Sequence, residues 1–302
     1  MTGAAVASLG ELAALGTATC WTVTALAFEA AGRRVGSLAV NLLRLALAAG
    51  IYSLFGLANR GLALPTDASA HAWLWLSLSG LVGFTLGDLC LFRALVLVGA
   101  RLSMLIMALV PPLTALLGWV FLGEALTWLD GLGMLLTLVG VGWVVLERRP
   151  PDPRGADPRA RWSGLALALG GAAGQAVGLV LSKHGMGEYD AFAASHIRVL
   201  AGLGGFVLLF TACGLWGRLR PAFKDRRAMA QLGLGALFGP FLGVSLSLLA
   251  VQHTQAGVAA TLMALVPVLV IPAAWLLRRE PVTLRALAGA CIAVAGSAFL
   301  FL

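Results

Sequence analysis

The residues equipped for chemistry are few, and they sit where charge is costly. Arg44, Asp88, Arg93, His196 and Arg198 all fall inside long apolar stretches. An ionisable group in hydrocarbon needs a partner, a water-filled cavity or a substrate. Arg93 stands five residues after Asp88, about 140° around a helix, so another segment must supply the partner of that carboxylate. Arg44 and Arg198 each lie about six residues into their segments, roughly 9 Å deep, within reach of snorkelling to headgroups and equally able to attract a carboxylate or clamp a gate. Arg44, Arg93 and Arg198 are therefore the gate or ion-pair candidates.

Catalytic patterns are weak by comparison. Gly87-Asp88 and Tyr189-Asp190 resemble the paired acids of an intramembrane aspartyl hydrolase, but the second falls in a loop and neither completes a Gly-x-Gly-Asp. There is no H-E-x-x-H for a membrane metalloprotease and no G-x-x-x-x-G-K-[ST] for ATP drive. Cys20, Cys90, Cys213 and Cys291 lie in apolar segments without paired spacing and read as small packing residues. No catalytic residue, metal site or cofactor is expected, and the chain is not read as an enzyme.

The second unusual feature is a repeated backbone irregularity. Met107–Leu113 reads MALVPPL and returns as MALVPVL at Met263–Leu269. Proline inside a helix removes a hydrogen bond and opens the preceding turn, and the freed carbonyls must then be satisfied by protein, water or ligand. Matched interruptions in two halves of a chain point to a binding site at mid-membrane. The cavity candidates are accordingly Trp21, Asp88, Met107, Pro111, Gln175, His196, Arg198, Met263 and Pro267. Trp21 lies near mid-depth, where an indole is able to pack between helices or stack on a planar or cationic ligand.

The elements that carry these residues follow from composition. The 302 residues are 60% hydrophobic and 11% charged, with a mean hydropathy of +0.94, values that no water-facing globular surface tolerates. Ten segments of membrane-spanning length are expected near 8–28, 38–58, 72–97, 101–122, 128–146, 163–184, 192–216, 229–251, 256–277 and 283–302, with tight turns near Arg101 and at Gln252–Gln255. The first segment has no preceding Lys or Arg and reads as a retained helix. The net charge of +8 gathers in alternate links, including Arg33-Arg34, the linker 147–162 and Arg218–Arg227. Short basic loops stay cytoplasmic, which puts both termini outside, in a multi-pass protein of the inner membrane. That placement favours anionic headgroups, and not nucleic acid, as the partner of the charge.

Sliding the chain by 156 positions lays 87–146 on 243–302 with 15 of 60 positions identical, and an offset of 154 upstream lays Arg44 on Arg198. The chain thus divides into a first five-helix repeat at 1–146, an Arg/Pro-rich cytoplasmic linker at 147–162 and a second repeat at 163–302. Five helices per repeat invert the second copy. The expected fold is all-α integral membrane, ten helices in two inverted repeats around a central cavity. Helices 5 and 10 read as peripheral supports or a contact surface for a second copy in a homodimer. Glu124–Thr127 and Glu280–Thr283 read as capping carboxylates at the membrane edge.

This plan, with Trp21 in the first helix, Arg44 and Arg198 in the second helix of each unit, and Pro111/Glu124 matching Pro267/Glu280, resembles the EamA-type exporters of the drug/metabolite transporter superfamily. Within it the chain looks most like the YddG-type aromatic amino-acid exporters. The resemblance implies a secondary carrier exporting small metabolites such as amino acids or organic cations, with helices 1, 3, 4, 6, 8 and 9 around the cavity. Proton exchange through Asp88, His196 or His253 and plain facilitation are both open at this point, and a channel or non-transporting receptor is the alternative class. Many relatives have cytoplasmic termini, the reverse of what the charges say.

Overall fold

A computed structural model describes residues 3–107, 109–145, 158–266, 268–269 and 284–299, and among these the chain is helical with no strand. Helix α1 spans Gly3–Val35 and α2 Ser37–Arg60. Helix α3 covers 70–107, as Ala70–Gly80, a π-helical stretch Leu81–Gly87, and Asp88–Met107. Then come α4 (Val110–Leu122), α5 (Trp128–Val145), α6 (Pro158–Met186) and α7 (Ala191–Ala212). Helix α8 covers 226–253, with a second π-helical stretch at Leu237–Gly243, followed by α9 (Ala256–Met263) and α10 (Leu284–Phe299).

Among the described residues six helices are long and apolar enough to cross a membrane, and Val110–Leu122, Trp128–Trp143 and Leu287–Gly296 are shorter apolar helices. Large apolar side chains such as Leu54, Leu74, Trp119, Phe121 and Leu208 stand exposed on the perimeter. A water-facing surface would not carry so many. The protein is a multi-pass helical membrane protein. Cys213 and Cys291 are exposed and so are not the packing residues expected of them, whereas Cys20 is buried.

The backbone is helical throughout Asp88–Met107, so the turn expected near Arg101 does not appear as a break, whereas Thr254 and Gln255 do separate α8 from α9. The chain still reverses between Asp88 and Val110. Glu124, just beyond α4, pairs with Lys183, and nearby Gly185 packs on Trp75 at the start of α3.

The repeats interlock through glycines. On α6 a Cβ at Gly178 would lie 3.2 Å from Gly83 Cα, and one at Gly174 would lie 2.9 Å from Gly87 Cα, so α6 and α3 cross antiparallel at backbone contact. The second repeat's equivalents of Gly83 and Gly87 are Gly239 and Gly243 on α8, and they meet Thr24 and Trp21 of α1. The first helix of each repeat therefore docks on the third helix of the other. Helices α5 and α10 obey the same exchange: Gly140 packs on Gly289 and Ala293, while Gly296 packs on Leu136 and Thr137. These are the pairings two inverted copies produce.

Away from the apolar layer, Arg34 at the end of α1 pairs with Asp225 at 2.6 Å, and Asp225 caps α8 through the amides of Arg227 and Ala228. The Arg34 hydrogen bond, helped by the Ala228 amide, holds the Asp225 carboxyl below its usual value of 3.8.

Two outcomes follow from this packing. Gly178→Leu forces α6 off α3 and costs about 1–3 kcal/mol, read as a lower melting temperature of the purified protein. Because the folded-state value of Asp225 is depressed, its contribution is present above the unfolded value and lost as pH falls through the folded one. Asp225→Asn should lower the melting temperature at about pH 7, and the difference from the native protein should shrink as pH falls below the usual carboxylate range.

Candidate functional site

A cavity of ≈ 340 Å³ lies where the two repeats meet, a volume within the range of small-molecule sites. Its wall comes mainly from α1, α3, α4, α6, α8 and α9, through residues that include Trp21, Met107, Pro111, Gln175, Ser247 and Met263. From α2 and α7 only Arg44 and Arg198 reach it. Both π-helical stretches border it, through Phe84 on α3 and Gly239 and Pro240 on α8. The repeat places Trp21 and Gln175 at equivalent positions (21 + 154 = 175), and both press on matching glycines, Gly243 and Gly87.

The irregular backbone is locally satisfied. The Tyr52 hydroxyl of α2 lies 2.8 and 2.9 Å from the Pro240 and Phe241 carbonyls and 2.7 Å from Ser245 Oγ, which ties α2 to the π turn of α8. On α3, the Gly83 carbonyl of the π turn accepts from Gln175 Nε2 of α6 at 3.4 Å, and Thr85 ties the stretch to α7 by donating to the Gly202 carbonyl at 3.3 Å. Interior breaks of this kind occur at functional sites more often than elsewhere.

Among the described residues three charged side chains line the cavity. Asp88 pairs with Arg44 through one carboxylate oxygen, and the other accepts from Gln175 Nε2 at 3.1 Å. Another helix thus supplies the partner, as the 140° argument required. Arg198 is only 4% exposed. It stacks over the Phe84 ring at 4.9 Å, and its Nε has no hydrogen-bond partner among the described residues.

Other candidates fall elsewhere. Arg93 is exposed on the outside of α3 and contributes neither to the cavity nor to an ion pair with Asp88. His196 is buried but stacks on Tyr52 at 5.3 Å and borders a separate small pocket with Arg60 and Asp190. The reason is angular: two residues is about 200° of helix, so with Arg198 facing the cavity His196 faces away. Asp190 caps α7 by accepting from the Ala193 amide at 2.8 Å and lies in that outer pocket, not beside Asp88. Pro267, Glu280 and the linker 147–157 lie outside the described residues. Phe84, Tyr52 and Ser247 escaped the sequence reading; helix position relative to Asp88 would have pointed to Phe84, one turn earlier.

At the N-terminal end of α1, Lys183 of the second repeat pairs with Glu124 of the first at 2.5 Å and donates to the Thr254 carbonyl at 2.6 Å. Glu124 also accepts from the Ala256 amide at 2.9 Å, capping α9, and Gln255 donates to the Ala125 carbonyl at 3.1 Å. The expectation that Glu124 caps a turn is met across the repeats, on α9. Nearby, Arg60 pairs with Asp67, and Tyr189 donates to the same carboxylate at 2.9 Å.

A helical membrane protein with a charged cavity enclosed by two repeats is the architecture of a small-molecule carrier. The EamA-like transporter family model matches residues 8–146 and again 162–302, and the chain belongs to that family. A solved crystal structure described only as that of a protein shares the fold, with a TM-score of 0.77, 19% identity, and coverage of 96% of this chain and 94% of the other. No curated protein matches the sequence.

Removing Asp88 leaves the buried Arg198 and the half-buried Arg44 without an anion among the described lining residues. Asp88→Asn should destabilise by about 3–5 kcal/mol, seen as a large drop in melting temperature, and Asp88→Asn with Arg44→Met should recover part of it.

Proposed function

We propose that the protein is a secondary exporter of small metabolites, amino acids including aromatic ones foremost, working by alternating access of its two repeats, in the manner of the YddG-type exporters it resembles. The observation that carries this reading is the ≈ 340 Å³ cavity bordered on both sides by matched π-helical stretches. Its wall combines an indole and a phenyl ring with three charged groups, a lining suited to a solute that has an aromatic body and an ionised head. Rocking of one repeat against the other needs bonds that break at one end while others form at the opposite end. The Lys183–Glu124 pair and its neighbours are such bonds, and they hold the N-terminal end closed. Because the basic links gather at the opposite end, we assign the closed end to the outside of the inner membrane. Proton exchange at Asp88 is the coupling we favour over plain facilitation, since protonation would release Arg44.

Purified protein in proteoliposomes should take up radiolabelled phenylalanine, faster with an imposed pH gradient. Absence of flux for every amino acid tried, with and without the gradient, rejects the carrier; single-channel currents would replace it with a pore. With the native cysteines removed and a cysteine placed at Ser247, Lys183→Gln should speed labelling by an impermeant maleimide several-fold from the N-terminal side. An unchanged labelling rate removes the pair from gating.

A further inference from the structure

The duplication makes Arg44 and Arg198 counterparts, but their surroundings are not equivalent. Arg44 has its aspartate. The position equivalent to Asp88 in the second repeat is Val244 (88 + 156 = 244), which also lines the cavity. Asp88 is engaged elsewhere on both oxygens, one by Arg44 and the other by Gln175, and forms no ion pair with Arg198. Among the described residues Arg198 has no ion pair and its Nε no hydrogen-bond partner; it faces the Phe84 ring, with the Tyr52 phenol and, without direct contact, the Asp88 carboxylate as its ionisable neighbours. Among the described residues the three charged groups on the wall leave one positive charge uncompensated.

A guanidinium 4% exposed and aimed into a cavity in hydrocarbon is an incomplete structure. Its planar fork matches a carboxylate through two parallel hydrogen bonds. Next to it, Phe84 and, farther along the wall, Trp21 offer flat apolar surface to the body of the same molecule. We propose that Arg198 is the anchor for a substrate carboxylate, so that the transported solutes carry a free carboxylate on an apolar or aromatic body, and amines lacking one are not substrates. This rests on the reading of the cavity as a solute site. It narrows that reading, because organic cations are then excluded.

Binding to the full-length protein in detergent, followed by calorimetry, tests the anchor without any need for flux. The probes are 3-phenylpropanoate, its neutral amide, and phenethylamine, in buffer with methanesulfonate as the only small anion. The acid should bind about 10–100-fold more tightly than the amide, and phenethylamine should bind no better than the amide. Arg198→Gln should remove that advantage and leave the amide's affinity as it was, with Arg198→Lys restoring part. A purely structural role for Arg198 would lower both affinities together, and that result overturns the proposal. So does a wild type that binds the amide or the amine as well as the acid, or binds none of the three. Chloride is the rival occupant: if chloride alone raises the melting temperature as much as the acid does, and only with Arg198 present, the site belongs to an inorganic anion and the proposal fails. Selective acid binding without flux in proteoliposomes would instead reject the carrier and keep the anchor.

Discussion

The Arg44–Asp88 ion pair is the contact on which the site depends, because it is what lets charge exist at this depth. A guanidinium in hydrocarbon is costly, and a carboxylate is no cheaper. Together, with Gln175 on the remaining oxygen, they form a wall that joins α2, α3 and α6. The arrangement requires α3 to pass very close to α6, and the glycines at 83, 87, 174 and 178 permit that approach. Packing and electrostatics are therefore one constraint: bulk at the crossing would carry Gln175 away from Asp88.

The duplication supplies the frame and its imperfection supplies the site. Inverted copies dock α1 on α8 as α6 docks on α3, and each brings an arginine and a π-helical stretch to the centre. If the copies were identical, Arg198 would have an aspartate of its own and the cavity would be internally neutral at its charged sites. Val244 prevents this. Ion pairs tie the two repeats at both ends of the bundle, Lys183–Glu124 at one and Arg34–Asp225 at the other.

How much of this was legible in the sequence depends on whether a feature is local. The repeated MALVP, the glycine spacing and the two arginines are periodic or duplicated patterns and led to the fold, while charge inside apolar segments singled out Arg44 as a gate or ion-pair residue and Asp88 and Arg198 as cavity residues. His196 was misjudged although its angle to Arg198 was available, because burial and polarity alone do not say which way a helix is turned. The π-helical stretches were not legible: only the second contains a proline, and the first forms at Leu81–Gly87 without one. Nor were the Glu124–Ala256 cap and the Tyr52 contact with α8, since partners more than a hundred residues apart are fixed by how helices are rotated against each other.

Charge balance also bears on how such a carrier would cycle. Closing a cavity expels water, and every uncompensated charge inside then loses solvation that protein dipoles must replace. An empty site with one surplus positive charge is harder to seal than one whose charge is matched. A carboxylate on Arg198 removes the surplus, so occupied protein closes more readily than empty protein, and solute binding itself favours the occluded state. The effect extends only as far as the difference in affinity between open and closed forms. A neutral or cationic ligand of the same shape gains the contact with Phe84 and Trp21 but leaves the surplus in place. Selectivity and movement then share one cause, the missing aspartate at position 244.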